Sequence, residues 1–338
     1  MLVPYIRSSS LNQFKTCQMK YTFEYLFGFP GKSGAKALMG TIFHKAQELR
    51  AQASKALKSQ SPDFIDDNFG KVLVSDAVNP EWAHKVSFDY YVQKNTDLEL
   101  TDKEFKETKK WIDDTLRDYP LYDPLNLDII QTEQFFDIEI KEPWATYKGI
   151  IKGKEVSGQL RIKGTMDLVT RLTDDTYELV DYKSGAYRSD FATGEEKDLA
   201  YMENDVQLLL YLIALDYLFP GKNWVLSLFY IRKGGIFSVH GDADMLDRAR
   251  NMVKKMFAEI SDCTSPTQLD PYNRDYRCKH LCPFSKSDSF TRGQSLCQHY
   301  KSKIDRKGLQ AVQDEVINER KLFNYAEGGG RDHATPDA

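Results

Sequence analysis

Long apolar runs are missing from this sequence, and so is any excess of positive charge. The longest apolar stretch, residues 208–219, contains Asp216 and falls short of the roughly 18–20 residues that span a bilayer. Residues 1–10 lack the charged start and long apolar core of a signal peptide. The net charge of −4 argues against nonspecific coating of nucleic acid, although it permits a local basic groove. We therefore expect a soluble, cytoplasmic protein with no membrane partner.

Cysteine is also scarce, and its positions are uneven. The five cysteines are Cys17, Cys263, Cys278, Cys282 and Cys297. Structural disulfides are rare in a reducing compartment, so a concentration of cysteines near the end of the chain favours metal binding.

The first part of the chain has the periodicity of helices. Apolar residues at near-helical spacing predict a first helix over residues 10–26 and a second over about 36–58. Residues 60–130 are predicted to form a polar helical insertion, in which Thr101 and Glu104 form a capping box.

The pattern changes near Ile129, where alternation typical of strands begins. An apolar helix, a hairpin and a further helix are expected to follow these strands. The predicted strands are 135–140, 158–171, 177–183, 225–231 and 236–240, and the predicted helices are 205–219 and 245–260. This order predicts an α/β fold with a mixed central sheet and a helical insertion. We expect one domain over residues 1–324, with a cysteine-rich segment at 263–300, and a disordered tail at 325–338.

The strongest chemical signal is a pair of acids on two predicted strands. Asp167 follows Gly164-Thr165-Met166, and Asp181 precedes Tyr182-Lys183. If the turn between the strands centres near residue 174, antiparallel pairing places residue i opposite about 348 − i, so Asp167 faces Asp181. Two carboxylates that close repel one another unless a proton or cation lies between them. Hard oxygen ligands suit Mg²⁺ or Mn²⁺.

Lys183 extends this acidic pair. It lies two residues after Asp181, so both side chains project from one face of a strand. An ammonium group beside a metal can hold a water molecule or stabilise charge on a scissile phosphate. Asp167, Asp181 and Lys183 thus form a unit suited to phosphodiester hydrolysis. The alternative is a surface hairpin with ordinary solvated charges.

Three polar residues on predicted helices are further candidates. His44 follows Gly40-Thr41 on the second helix, and a neutral imidazole can ligate a divalent ion. Gln207 and Tyr211 lie four residues apart on one helix face. Both are able to hydrogen-bond a phosphate, or simply to border the core.

Together these motifs resemble a known family. Gly40-Thr41-x-x-His44, Gly164-x-x-Asp167, Asp181-x-Lys183 and Gln207-x-x-x-Tyr211 occur in the order of the RecB-like PD-(D/E)XK nucleases. Residues 8–17, which include Ser8-Ser9-Ser10-Leu11, Phe14 and Cys17, are similar to the start of the iron–sulfur branch, which includes AddB and the CRISPR-associated RecB-type exonucleases. The resemblance spans about residues 8–300.

The resemblance implies a restriction-endonuclease-like core and assigns roles to residues. His44, Asp167 and Asp181 would be metal ligands, Lys183 would be catalytic, and Gln207 and Tyr211 would support the site or contact DNA. Glu133 resembles a family glutamate on an earlier strand. Met166 stands where the family name has proline, as in other RecB-like members.

The cysteines fit the same branch. Cys17 together with Cys278, Cys282 and Cys297 resembles its 4Fe–4S cluster, for which four thiolates are the right number. The alternatives are a structural zinc site completed by His280 or His299, and cysteines that bind no metal. Cys263 is expected to take no part.

The predicted function is therefore a metal-dependent DNA nuclease from a bacterium, an archaeon or a phage. Many RecB-like proteins are exonucleases, so we expect action on single-stranded DNA ends in recombination, repair or phage replication, with a helicase, recombinase or single-strand-binding protein as partner. A rival hypothesis is a non-catalytic DNA-binding or scaffold subunit on the same fold, and a weaker one is an RNA-directed nuclease.

Overall fold

The structure is a computed structural model that describes most of the chain. The described residues are 1–31, 34–96, 98–151, 154–185, 198–232, 234–272, 274–286 and 293–326. None of the helices in these ranges combines the length and apolar character that a membrane span requires.

Helices and strands alternate along the chain after a largely helical first part. They are β1 (Tyr5–Ile6), α1 (Ser8–Thr16), α2 (Gln18–Tyr21), α3 (Ala35–Lys58), β2 (Asp63–Asp66), β3 (Gly70–Leu73), α4 (Val74–Ala77), α5 (Pro80–Lys94), α6 (Asp102–Asp118), β4 (Ile129–Glu139), β5 (Thr146–Ile151), β6 (Lys154–Gln159), β7 (Arg161–Arg171), β8 (Thr176–Lys183), α7 (Leu199–Glu203), α8 (Val206–Leu218), β9 (Asn223–Tyr230), β10 (Gly235–Gly241), α9 (Ala243–Asp262), α10 (Leu296–Lys307) and α11 (Leu309–Ala326).

The contacts within the chain divide it into two compact units. The first comprises Met1–Lys32, Glu139–Arg161 and Lys254–Ala338, and the second comprises Ser33–Ile138 and Ile162–Val253. The single domain over residues 1–324 stays a prediction. Helix α11 continues to Ala326, and residues 327–338 of the predicted tail lie outside the described residues.

The second unit is built on a mixed sheet. Strands β7, β8, β9 and β10 are neighbours in that order, and β4 also pairs with β7. The β7–β8 and β9–β10 pairs are antiparallel, whereas β8 and β9 are parallel. Mixed pairing with helices confirms the predicted α/β, restriction-endonuclease-like fold class.

Helix α3 supplies much of the core beneath this sheet. Its apolar residues recur at helical spacing, and Met39, Phe43, Ala46 and Leu49 are buried. They pack with side chains from the sheet, namely Leu168, Val180, Tyr182, Phe229 and Ile231. Helix α8 is apolar around nearly its whole circumference, and residues 208–215 are buried accordingly.

The sequence predicted a helical insertion over residues 60–130, but the structure shows that this insertion also contains strands. The antiparallel hairpin β2–β3 precedes the three helices α4, α5 and α6. The hairpin was missed because its strands contain four residues each, too short for a clear alternation. The predicted capping box of Thr101 and Glu104 is confirmed at the start of α6.

The first unit has its own core, and its first helix departs from the prediction. Residues 10–26 form α1, α2 and a π-helical turn at Thr22–Leu26, because the backbone is extended at Cys17. Phe23 then packs against Phe284 and Tyr300. The early helices therefore share a hydrophobic core with the cysteine-rich segment and α10.

Candidate functional site

The β7–β8 hairpin brings the two predicted acids together. Leu168 pairs with Val180 and Val169 with Leu179, which is the predicted register of 348 − i. The Leu168–Val180 pair lies next to Asp167 on β7 and next to Asp181 on β8. The Oδ2 atom of Asp167 also accepts a hydrogen bond from the backbone N–H of Tyr182, at 2.8 Å.

Asp181 is held by side chains from α8. Its Oδ1 atom accepts hydrogen bonds from Gln207 Nε2 at 2.8 Å and from the Tyr211 hydroxyl at 3.1 Å. Gln207 and Tyr211 project from the same face of α8, where Gln207 Nε2 lies 2.6 Å from the Tyr211 hydroxyl oxygen. The Tyr211 hydroxyl lies 2.7 Å from the carbonyl oxygen of Thr165. This network ties β7, β8 and α8 together around one carboxylate.

Lys183 belongs to the same network. Its Nζ lies 2.5 Å from Asp181 Oδ2 and donates to Gln207 Oε1 at 2.5 Å. Burial works against the charged ammonium, but the Asp181 and Asp167 carboxylates outweigh it and raise the pKa of Lys183. Lys183 is therefore a fixed cation beside the two acids.

A second group of ligand atoms converges at the Asp167 side of the hairpin. His44 from α3, Glu133 from β4 and Asp167 from β7 each offer one ligand atom, and these atoms all lie within 4.8 Å of one another. His44 Nδ1 is 3.2 Å from Asp167 Oδ2. Glu133 has a φ of +46°, a strained conformation for a residue with a side chain. Such spacing fits a single metal ion.

The electrostatics of this group also fit a cation. Burial disfavours a charged imidazole, yet Asp167, Asp181 and Glu133 raise the pKa of His44 to about 9. Burial and then the Asp167 and Glu48 charges raise the pKa of Glu133 to about 8. Burial and Asp167 likewise raise the pKa of Asp181, against the opposing charge of Lys183. The carboxylates thus favour extra positive charge, which a divalent ion would supply.

Two motif glycines are explained by close packing around the site. A Cβ at Gly164 would lie 2.5 Å from Cζ of the buried Phe136 ring. A Cβ at Gly40 would lie 2.7 Å from Ser184 Oγ, just beyond Lys183. Both glycines allow neighbouring elements to approach the acids more closely than a side chain would permit.

The site opens into a cleft of about 420 Å³. Its lining residues are Ala37, Gly40, Thr41, His44, Lys45, Glu48, Tyr91, Glu133 and Ser184. In its wall, Lys45 Nζ donates to Glu48 at 2.8 Å and to the buried Asp66 at 2.7 Å. Sequence analysis missed these residues, because Asp66 lies 21 positions from Lys45 and carries no motif.

A family comparison agrees with this geometry. The family model of the PD-(D/E)XK nuclease superfamily matches residues 8–287. The chain belongs to the PD-(D/E)XK nuclease superfamily. Nucleases of this superfamily use divalent metals, and the group of His44, Glu133 and Asp167 is an acidic site of the kind they require.

Solved structures show only distant similarity to this superfamily member. A protein from Eubacterium rectale named "Putative exonuclease" shares 14% identity, with 86% of this chain and 92% of that chain covered and a TM-score of 0.45. The protein SSO0001 shares 13% identity, with 83% and 86% covered and a TM-score of 0.28. No curated protein matches this chain.

The cysteine residues of this nuclease lie in the first unit and influence one another. Burial raises the pKa of Cys278 to about 11, and the Cys17 and Cys282 thiols add to the shift. Burial raises the pKa of Cys297 to about 12 against a hydrogen bond from Gln268, and the same three thiols contribute. The four predicted ligands are therefore electrostatic neighbours. Burial raises the pKa of Cys263 against the opposing charge of the N-terminal amine, and none of the other four thiols contributes.

Proposed function

We propose that this superfamily member is a metal-dependent deoxyribonuclease that acts as an exonuclease on single-stranded DNA ends. The observation that carries the proposal is the shared site of His44, Glu133 and Asp167 beside the Asp181–Lys183 pair. Ligand atoms for a metal ion, a second acid and a fixed ammonium group together suit phosphodiester hydrolysis. Pathways in recombination, repair or phage replication, and a helicase, recombinase or single-strand-binding protein as partner, remain part of this proposal.

The metal ligands we assign are His44, Asp167 and Asp181, with Glu133 as a further one. Carboxylate oxygens dominate this set, so Mg²⁺ or Mn²⁺ is the expected ion. When bound, the ion would activate water and neutralise charge on the phosphate. His44 must lose one of the two ring protons of its imidazolium form before it can bind a metal ion. The carboxylates that stabilise the imidazolium would then stabilise the positive charge of the metal ion.

Lys183 is the catalytic cation in this proposal. Its Nζ is positioned by Asp181 and Gln207, so the ammonium group enters the reaction already oriented. From there it can hold the attacking water or stabilise charge that develops on the scissile phosphate. Gln207 and Tyr211 are positioning residues, because each fixes Asp181 by a hydrogen bond.

The rival function is a DNA-binding or scaffold subunit without activity. Such a subunit has no need of paired acids, because each buried carboxylate costs stability unless it is compensated. This chain keeps Asp167, Asp181 and Lys183 together with the side chains that hold them. Their retention supports the catalytic proposal.

We also propose that Cys17, Cys278, Cys282 and Cys297 bind a 4Fe–4S cluster. A zinc ion holds thiolates at about 2.3 Å, which places tetrahedral sulfurs about 3.8 Å apart. Among the described residues, which include all four cysteines, no three of these sulfurs lie within 4.8 Å of one another. That spacing is wider than a zinc site needs, and it is also expected of cysteines that bind no metal. What supports the proposal is that Cys17, Cys278 and Cys282 line one pocket, and zinc remains the alternative outcome of metal analysis.

The nuclease proposal is tested with single-stranded and double-stranded DNA substrates, each blocked at its 5′ or 3′ end. We expect Mg²⁺- or Mn²⁺-dependent release of nucleotides from single-stranded ends, and loss of this activity in Asp181→Ala with folding retained. Lys183→Ala should lose turnover while metal binding is largely kept. Full activity in Asp181→Ala would contradict the assignment, and cleavage of circular single strands would show endonuclease action.

A further inference from the structure

The helical insertion supplies one wall of the catalytic cleft. Tyr91, on α5, lines this cleft together with the ligand candidates His44 and Glu133. At about 420 Å³ the cleft falls within the range of roughly 300–1,000 Å³ typical of small-molecule sites. It is therefore large enough for part of a substrate next to the metal group.

The ring of Tyr91 is held in place from behind. It packs against the buried cluster of Leu38, Ile42 and Phe88, and the Tyr90 ring meets it edge-on at 5.1 Å. Burial raises the pKa of its phenol, Lys45 opposes this shift, and Glu48 and Glu133 add to it. Tyr91 is thus a fixed, half-buried aromatic surface at the site.

The other aromatic residues of the insertion have different roles. Trp111 is buried in the core, with the Arg232 guanidinium 5.2 Å from its ring. Tyr90 lies 5.2 Å from Phe69, and its hydroxyl donates to Asn68 Oδ1 at 2.5 Å. Among the described residues, those that line the cleft include Tyr91 but neither Tyr90 nor Trp111.

We infer that Tyr91 forms a base-binding subsite, on which a base of a single-stranded substrate stacks beside the scissile phosphate. Aromatic side chains bind every base by its π-face, and they need an unpaired base that is free to leave its own stack. A base pair inside a duplex does not offer such a face. This inference rests on the proposed nuclease function and assigns its preference for single strands to one residue of the insertion.

The experiment measures DNA binding without turnover, in an Asp181→Asn background. Fluorescence anisotropy would compare a single-stranded oligonucleotide with the corresponding duplex. We expect Tyr91→Leu to weaken single-strand binding by about 5- to 150-fold, the equivalent of roughly 1–3 kcal/mol for one stacked base, and to leave duplex binding unchanged. Tyr91→Phe keeps the ring and should bind within about threefold of the parent.

Tyr217→Leu is the matched control, because it removes an exposed tyrosine of the same unit that does not line the cleft. Thermal melting of each variant excludes a folding defect. Unchanged single-strand binding in Tyr91→Leu, or an equal loss for single strand and duplex, would overturn the inference, as would a parent protein that binds no single strand.

The outcomes also separate this inference from the proposed function. If the protein cleaves DNA but Tyr91→Leu does not weaken its binding to single strands, the nuclease proposal stands and the subsite is refuted. If Tyr91→Leu weakens single-strand binding but the protein with the native Asp181 cleaves no DNA, the subsite stands and the nuclease proposal is refuted.

Discussion

Asp167 and Asp181 are chemically identical, but they lie in different surroundings. The Asp181 side chain is 2% exposed and is held by Gln207, Tyr211 and Lys183. The Asp167 side chain is 10% exposed, accepts a hydrogen bond from the backbone N–H of Tyr182 and lies beside His44. Three side-chain partners fix Asp181, whereas Asp167 faces the more open group of ligand atoms.

Among the individual residues, Gln207 links Asp181 to Lys183. Its amide donates to Asp181 and accepts from Lys183, so Gln207→Leu removes both contacts at once. We expect kcat to fall by about 10- to 100-fold, because hydrogen bonds to charged groups contribute roughly 1.5–3 kcal/mol each. Steady-state kinetics should show a smaller effect on KM. Gln52→Leu, which alters an amide of the Lys45–Glu48 network, is the control for losing a glutamine near the cleft.

A buried histidine in the insertion predicts acid sensitivity. His84 is 1% exposed, and its Nε2 lies 2.7 Å from Thr108 Oγ1. Burial lowers its pKa to about 4, below the ordinary value of 6.5, so its contribution to stability is present above pH 6.5 and is lost as the pH falls towards 4.

From pH 7 to pH 5 this one residue should therefore cost the second unit about 2 kcal/mol. We expect His84→Leu to lose less stability over that interval than the parent. Thr108 keeps its bond to the carbonyl of Glu104, so the substitution leaves no orphaned hydroxyl. Urea unfolding at both pH values measures the difference, with the exposed His240→Gln as control. Equal losses in parent and His84→Leu would refute the prediction.

At the scale of elements, the packing of β4 against β7 positions the catalytic strand. Gly164 lies under the ring of Phe136, which is itself 6.1 Å from the Tyr211 ring. An added methyl group must displace a buried ring that borders the Asp181 network. We expect Gly164→Ala to cost about 1–3 kcal/mol of stability, as overpacking does, and to lower activity as well.

A double-mutant cycle can separate this clash from a general glycine effect. Phe136→Leu should recover part of the loss in the Gly164→Ala background, because the two substitutions share one space. Gly185→Ala is the control, since its Cβ would meet no atom within 4 Å. Chemical unfolding measures the four proteins of the cycle and the control, and additive effects of the two substitutions would contradict the proposed clash.

At the scale of the molecule, the four proposed cluster ligands come from the beginning and the end of the first unit. A cluster that links Cys17 to Cys278 would close a loop of about 260 residues. By analogy with a long-loop disulfide, such a link restricts the unfolded chain by roughly 4–5 kcal/mol. This approaches the whole stability of a typical domain, about 5–15 kcal/mol.

We therefore expect Cys17→Ser to express poorly, to lose brown colour and to melt at a lower temperature. Cys263→Ser should be near neutral, because Cys263 is not one of the neighbouring four thiols. Anaerobic purification followed by iron, sulfide and zinc analysis identifies the metal. Stoichiometric zinc without iron would favour the zinc alternative, and a Cys17→Ser protein as stable as the parent would contradict a cluster at these residues.

The sequence alone determined the hairpin and its register. Alternation and the turn at Thr173-Asp174-Asp175-Thr176 fix which strand positions face each other, so Asp167 and Asp181 were predictable as a pair. Helix α3 was predictable for the same reason, because its 24 residues repeat with a clear helical period. Local periodicity carried both results.

Only the tertiary structure decided what surrounds the acids. Lys45, paired with Asp66, reaches the site by packing of distant elements, which no short motif records. Glu133 was named beforehand only through the family resemblance, and its left-handed backbone and its place beside His44 and Asp167 follow from the fold. The same holds for Tyr91, because Tyr90, Tyr91 and Trp111 look alike in the sequence, and of these three only Tyr91 lines the cleft. Hydrophobic periodicity and turn-forming residues act between residues that are close in the sequence. Which distant residues come into contact depends instead on how whole helices and strands bury their apolar faces.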